Sequence, residues 1–341
     1  MKALVFRGPG EMPLEDRPDP VPGPGEAVVA IRASGICGSD VHGFSGATGR
    51  RRIGVVMGHE ASGEVIEVGA GVTSARIGER VILRSILACG RCDRCRHGQP
   101  NICEARQGMG MHIDGAYAER ILVPEALLVP LPDTLSYEDG ALVEPLAVAM
   151  HAVNITPFEL MDFVVIVGAG AIGLLTLLAA RQRGAGSIIV TDRDAHRLGV
   201  ARMIGADQTI DVGTTDPIAA IAAATGGRGA DAVFEAVGIA ATVAQSVAAA
   251  RPGGHVTWIG NSAPAVEVPM QQLVTRELTV RGAYGFVDEF EQAADALAAG
   301  WIDARRLIEC VAPLEDGPDL FRQLAEGSLS AVKVVLTPNA A

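Results

Sequence analysis

The sequence predicts an α/β protein in two parts: a doubly wound parallel sheet, and a second domain that is irregular and mostly β. Three observations carry that expectation. From Asp162 onward, apolar runs alternate with alanine-rich helical stretches. Before about residue 150 the chain is dense in Gly and Pro, with short strand-like runs between turn signals. A glycine-rich turn then joins the first apolar run of the later part to a helix.

In the later part the expected strands are 162–167, 187–192, 208–212, 232–237, 255–260 and 278–284. Their continuous hydrophobicity is that of strands buried on both faces, as a parallel sheet covered by helices requires. After about residue 285 a helix is expected over Asp288–Ala299, then a loop and a last apolar strand, Ala331–Leu336, free to rejoin the first domain. In the early part, Ala27–Ala33, Gly63–Val68 and Arg80–Leu83 read as strands.

With 341 residues, each domain can bury its own core without disulfides or membrane support. A composition of 49% hydrophobic and 20% charged residues with 41 glycines is that of a folded globular protein. A formal charge of -12 would repel nucleic acid and anionic membrane surfaces, so the expected partner is a small molecule. The segment Met1–Glu11 lacks the apolar core and small-residue cleavage site of a secretory signal, which makes the cytoplasm the expected location. Phe163–Ala180 runs 18 residues without a charge, but its three spaced glycines suit a soluble turn better than a membrane span.

Those glycines have specific work. In Val167-Gly168-Ala169-Gly170-Ala171-Ile172-Gly173 the pattern G-x-G-x-x-G follows a strand and opens a helix. Gly168 permits the tight turn, Gly170 removes a side chain that would block a pyrophosphate, and Gly173 lets helix and strand pack closely. The helix start at Ala171 and Ile172 then meets the phosphates with free N–H groups and the positive end of its dipole. Asp192, 19 residues past Gly173, ends the next strand, where a carboxylate binds ribose hydroxyls and opposes a 2'-phosphate. NAD is therefore expected over NADP, with Arg193 and Arg197 keeping the phosphorylated cofactor as the alternative. A doubly wound domain binding another nucleotide, or none, is the competing reading.

Four of six cysteines crowd together as C-x2-C-x2-C-x7-C: Cys89, Cys92, Cys95 and Cys103. That spacing suits four thiolates around one zinc with no open position, a structural site; two disulfides or an iron–sulfur cluster are the alternatives. A second set is dispersed: Cys37, the pair His59-Glu60, and Glu144 before Pro145. A catalytic zinc needs about three protein donors and one exchangeable position, which a thiolate, an imidazole and a carboxylate supply. Singly, Cys37 reads equally as a small buried hydrophobe and His59 as an ordinary histidine. Cys310 reads as a plain buried thiol; His97, His112, His196 and His255 read as loop or surface residues, and His151 as a packing residue.

In order, the segments Gly35-Ile36-Cys37-Gly38-Ser39-Asp40-Val41-His42, Gly58-His59-Glu60-Ala61-Ser62-Gly63, the cysteine lobe at 89–103, Gly140–Ala149 and the glycine turn resemble the zinc-containing medium-chain alcohol dehydrogenases. The resemblance covers nearly the whole chain. It leans to the sorbitol, butanediol and threonine dehydrogenase branch, because the liver-type enzymes carry a cysteine where this chain has Glu144. It implies a GroES-like catalytic domain built from residues 1–149 and 285–341, and a six-stranded Rossmann domain at 150–284. It implies two zinc ions per chain: a structural one at the cysteine lobe, and a catalytic one on Cys37, His59 and Glu60, with Glu144 a fourth ligand or the holder of a zinc-bound water. Ser39 and His42 match the proton-relay positions, and Asp40 is a candidate partner for His59. Relatives are dimers or tetramers joined through the dinucleotide domains. The implied reaction oxidises a secondary alcohol of a small polyol, diol or sugar-derived alcohol to the ketone, with hydride passing to NAD.

The resemblance departs at Gly282-Ala283-Tyr284-Gly285-Phe286, where sorbitol dehydrogenases carry a Phe-Arg-Tyr run whose Arg and Tyr touch the polyol. A smaller diol, another sugar alcohol, a sugar acid or threonine are thereby left open as substrates. Phe44, Met109 and Met111 are cleft-lining candidates that could equally be packing residues. The rival functions are a threonine 3-dehydrogenase-like activity, a zinc-free quinone or enoyl reductase, and a non-catalytic nucleotide-binding protein. Cys37, His59, Glu60 and Glu144 together count against the zinc-free reductase.

Overall fold

Phe163–Val167, the first all-apolar run of the later half, is an inner strand of a six-stranded parallel sheet in the computed structural model, which describes residues 1–338. From edge to edge the sheet runs Gln208–Asp211, Ser187–Asp192, Phe163–Val167, Ala230–Glu235, Ala250–Trp258, Thr279–Gly282. The chain winds outward from Phe163–Val167 and then returns to its other side, so a switch point lies between that strand and Ala230–Glu235. In open α/β sheets the crevice at the carboxyl ends of such strands takes the ligand. Helices Ala171–Arg183, Ala195–Met203, Pro217–Ala224 and Ala240–Ala249 make the crossovers, and Asp194 and Asp216 cap their helices by accepting backbone N–H groups. Val165, Val167, Ile189, Val233 and Val256 pack in the core beneath. The uncharged run 163–180 is thus a strand, a turn and most of a helix. Among the described residues no helix is long and apolar enough to cross a membrane.

This sheet belongs to a unit comprising Pro145–Phe286 and Trp301–Leu307. The other unit comprises Met1–Glu144, Val287–Gly300 and the chain from Ile308, so the division falls inside helix Val143–Ile155. Residues 339–341 of the expected 285–341 segment lie outside the described residues.

The second unit is built on a largely antiparallel sheet in the order Ile308–Pro313, Lys333–Thr337, Glu26–Gly35, Glu60–Val68, Arg80–Leu83, Leu128–Pro130, with Arg120–Pro124 also pairing with Glu26–Gly35. The long strand Glu26–Gly35 alternates its apolar residues into a core with Val65, Val81, Leu83 and Val123. A separate core gathers Leu4, Phe44, Tyr117, Phe321 and Leu336. Phe44 and Met109 are both buried within these cores, which makes them packing residues in this unit.

Candidate functional site

Strand register brings the dispersed residues together. Gly35 pairs with Glu60 on one side and with Val335 on the other, so the end of Glu26–Gly35, the start of Glu60–Val68 and the start of Lys333–Thr337 meet at one edge. Cys37 follows two residues later as the N-cap of helix Gly38–Phe44, and His59 immediately precedes Glu60. As a result Cys37, His59 and Glu60 each present a donor atom, all within 4.8 Å of one another.

Asp40, fully buried, lies with Oδ2 3.3 Å from His59 Nδ1 and accepts from Arg51 Nη2 at 2.7 Å and from Tyr117 Oη at 2.7 Å. Burial pushes this carboxyl up, but His59, Arg51 and Tyr117 outweigh it and hold the group well below the usual carboxylate range. Burial likewise lowers His59, yet Asp40 and Cys37 leave its pKa well above the ordinary histidine value. With Nδ1 turned to Asp40, Nε2 is the nitrogen available to a cation.

Glu60 is fully buried; its Oε2 accepts from Lys333 Nζ at 2.6 Å, while Oε1 has no hydrogen-bond partner among the described residues. An unpaired buried carboxylate oxygen beside a thiol and an imidazole fits a divalent cation that takes S, N and O donors, as zinc does. Lys333 is itself buried; desolvation lowers its pKa, but Glu60 and Cys37 raise it more, so the ammonium persists.

Glu144 lies beside this group without entering it. Its Oε1 accepts from Ser85 Oγ at 2.7 Å, and the carboxyl titrates above its ordinary value because burial and Glu60 outweigh the pull of His59 and Ser85. Ser39 Oγ lies 3.4 Å from Cys37 Sγ, and burial lowers the pKa of His42 on the same helix.

The four remaining candidate thiols, Cys89, Cys92, Cys95 and Cys103, also lie within 4.8 Å of one another. Cys92 Sγ is 3.5 Å from Cys95 Sγ and 3.7 Å from Cys103 Sγ. These separations are far too long for disulfides and close to the ~3.8 Å edge of a zinc tetrathiolate with bonds of about 2.3 Å. Backbone N–H groups of Arg91 and Cys92 bring the Cys89 thiol down to about 6, which favours the thiolate. Cys310 is only half-buried.

At the glycine turn, Gly168 adopts φ +103°, a conformation other residues resist. A Cβ on Gly173 would sit 1.8 Å from Gly168 O, so helix and turn touch here as a pyrophosphate loop requires, whereas a Cβ on Gly170 would face nothing within 4 Å. Asp192 accepts from the N–H groups of Ala169 at 2.6 Å, Arg193 at 2.7 Å and Asp194 at 2.9 Å. The turn and the acid are thus one bonded unit, and its donor-rich helix start fits a dinucleotide. Arg197 instead packs toward Asp194.

Sequence reasoning missed Arg51, Ser85 and Lys333. For Lys333 a signal existed: a single charge within the apolar run 331–336. His255, expected in a loop or on the surface, stands within strand Ala250–Trp258.

Comparison with known proteins agrees with this geometry. The family described as "Alcohol dehydrogenase GroES-like domain" matches residues 23–133, and "Zinc-binding dehydrogenase" matches residues 171–299. Sorbitol dehydrogenase of Bacillus subtilis is 32% identical over 99% of this chain and 98% of its own. The crystal structure of 2R,3R-butanediol dehydrogenase from Bacillus subtilis superposes with a TM-score of 0.89 at 32% identity, covering 99% of each chain. A zinc-binding dehydrogenase from Sinorhizobium meliloti 1021, bound to NADP, superposes with a TM-score of 0.92 at 35% identity, again over 99% of each chain.

Proposed function

We propose that this chain, which belongs to the zinc-containing medium-chain alcohol dehydrogenase family and to its sorbitol dehydrogenase-like branch, oxidises a secondary hydroxyl of a small polyol, diol or sugar-derived alcohol to the ketone, with NAD as acceptor. The observation that carries the reading is the convergence of Cys37, His59 and Glu60 around the unpaired Glu60 Oε1.

These three residues would hold the catalytic zinc, and the four-cysteine lobe a structural one. When bound, zinc supplies a Lewis acid that makes an alcohol hydroxyl more acidic, and NAD supplies the hydride acceptor. The protein's own groups do the rest. Asp40 fixes the His59 tautomer. Glu144, tied to Ser85 and raised above the ordinary carboxyl value by burial, serves as a nearby carboxyl able to exchange a proton. Ser39 and His42 carry the released proton away: the hydroxyl of Ser39 is within reach of Cys37, and His42, with its lowered pKa, is neutral and able to accept at physiological pH.

Gly168, Gly170 and Gly173, with the helix start at Ala171 and Ile172, would receive the pyrophosphate, and Asp192 the ribose hydroxyls. The Asp192 carboxylate supports NAD over NADP; Arg193 and Arg197 are the groups an NADP reading would need, and the NADP-bound relative makes both cofactors worth measuring. The exposed edge strand Thr279–Gly282, with Met270 and Val274 also exposed nearby in sequence, supports a homodimer or homotetramer formed through this unit. A cytoplasmic location accords with a dinucleotide cofactor and with the absence of a secretory-signal pattern over Met1–Glu11.

The test is a rate panel of polyols, vicinal diols, sugar acids and threonine with each cofactor, beside elemental analysis. Two zinc ions per chain and NAD-linked oxidation of a secondary alcohol are expected. One zinc per chain, or no turnover across the panel, would defeat the reading.

A further inference from the structure

We propose that Lys333 is a positioning residue that holds Glu60 by one carboxylate oxygen, so that Glu60 can offer a metal ion only the other; this rests on the reading of Cys37, His59 and Glu60 as zinc ligands.

Three observations converge on it. Lys333 is 2% exposed, and its Nζ donates to Glu60 Oε2 at 2.6 Å and to Ile36 O at 3.2 Å, so the ammonium is anchored at both the carboxylate and the backbone beside Cys37. Oε2 also lies close against the Gly35 backbone: a Cβ there would sit 2.3 Å from it, an approach that glycine permits. Oε1, buried with no hydrogen-bond partner among the described residues, is the oxygen left for a cation.

The residue type agrees with the geometry. Lys2 and Lys333 are the only lysines in a chain whose other basic side chains are arginines. At this buried position a compact ammonium meets one carbonyl and one carboxylate oxygen, whereas a guanidinium fork would bring five N–H donors needing partners. The strand carrying Lys333 pairs Val335 with Gly35, so the anchor and this close approach are set by the same sheet register. Lys333 also lies within electrostatic range of the Cys37 thiol and the Glu144 carboxyl. Removing its charge would therefore deepen the negative potential at the metal and free Oε2 at the same time.

The experiment uses the full-length, zinc-loaded protein and its cobalt(II)-substituted form. In the parent, X-ray absorption at the metal or a metal-loaded crystal structure is expected to find Glu60 bonded through one oxygen, with Lys333 on the other. In Lys333→Met, release of the zinc held by Cys37 to a chelator is expected to slow by about tenfold, the fold-change that ~1.4 kcal/mol of tighter binding by the second oxygen produces. The cobalt d–d bands are expected to weaken as the second oxygen raises the coordination number. A role in packing alone would move the melting temperature and neither of these. Parent release rate and parent bands in Lys333→Met would overturn the inference, as would Glu60 bound through both oxygens in the parent. The parent measurement decides alone if Lys333→Met does not fold. A parent that binds a single metal per chain, at the cysteine lobe, would overturn the zinc-site reading together with this inference.

Discussion

Asp40 and His59 form the hinge of the site: one fully buried carboxylate faces the imidazole Nδ1 at 3.3 Å through Oδ2 while its other oxygen takes the buried guanidinium of Arg51 at 2.7 Å. Neither half of that arrangement is optional. Without the carboxylate the imidazole loses the group that selects its tautomer, and Arg51 becomes a buried charge with no counter-ion. Asp40→Asn is therefore expected to weaken zinc at Cys37 by about 10–100-fold. It should also lower stability by about 3–5 kcal/mol, the usual cost of breaking a buried ion pair. Zinc at the four-cysteine lobe should be retained, so competition with a chelator should strip one ion per chain at far lower chelator concentration than in the parent. Parent-like affinity for both ions would show that Asp40 serves only the fold.

Glu144 gives a sharper split between binding and turnover. Its carboxyl is bonded to Ser85 and stands outside the three-residue donor group, in the unit that does not contain the glycine turn. Glu144→Ala should cut kcat by about 10²–10⁴-fold, the range of a positioned acid–base group. Zinc content and NAD dissociation constant should stay at parent values. An unaltered kcat would remove Glu144 from the proton pathway, and loss of zinc would instead make it a ligand.

The division between what could and could not be read from the residues follows from range. The glycine turn and Asp192 lie in one strand–turn–helix–strand unit, and the cysteine lobe in one loop, so local spacing already contains their geometry. The six parallel strands were legible for a related reason: burial on both faces leaves runs such as 163–167 and 187–192 without polar interruption. The partners Arg51 and Ser85 were not legible, and the lone charge of Lys333 in its apolar run did not say what it meets, because each reaches the site through strand register or a loop path. Arg51 sits in an arginine triplet that looks solvent-exposed, and Lys333 is 273 positions from Glu60. The strand Ala250–Trp258 begins before the expected 255 because Arg251, Pro252 and two glycines hide its extended start.

Cofactor choice turns on Asp192, whose carboxylate is already tied to three backbone N–H groups around the glycine turn. Asp192→Gly removes both the charge that opposes a 2'-phosphate and the brace of the turn. The ratio of kcat/KM for NAD to that for NADP should therefore fall by about tenfold or more, with some loss on NAD itself. Steady-state rates with both cofactors on one good alcohol decide the matter, and a ratio that does not move would dissociate Asp192 from the ribose.

The nucleotide-binding unit should also carry a distinct acid sensitivity. Asp231 is buried, accepts from Arg228 Nη1 at 2.5 Å, Arg251 Nε at 2.6 Å and Phe163 N at 2.8 Å, and so clamps the start of two neighbouring strands. Burial pushes its carboxyl up, but Arg228, the Phe163 N–H and Arg251 outweigh it and bring it down to about 2. A folded-state pKa below the unfolded value of about 3.9 means that this stabilisation is complete above that value and is lost as pH falls through the folded one. The difference amounts to about 2–3 kcal/mol at neutral pH. Asp231→Asn should therefore unfold at lower urea than the parent at pH 7, and the two midpoints should draw together as pH drops below about 4. Trp258 and Trp301, the two tryptophans of the chain, both belong to this unit, so their fluorescence reports its unfolding in the full-length protein. A gap that persisted or widened in acid would mean that the Arg228 and Arg251 clamp does not act through the charge of Asp231.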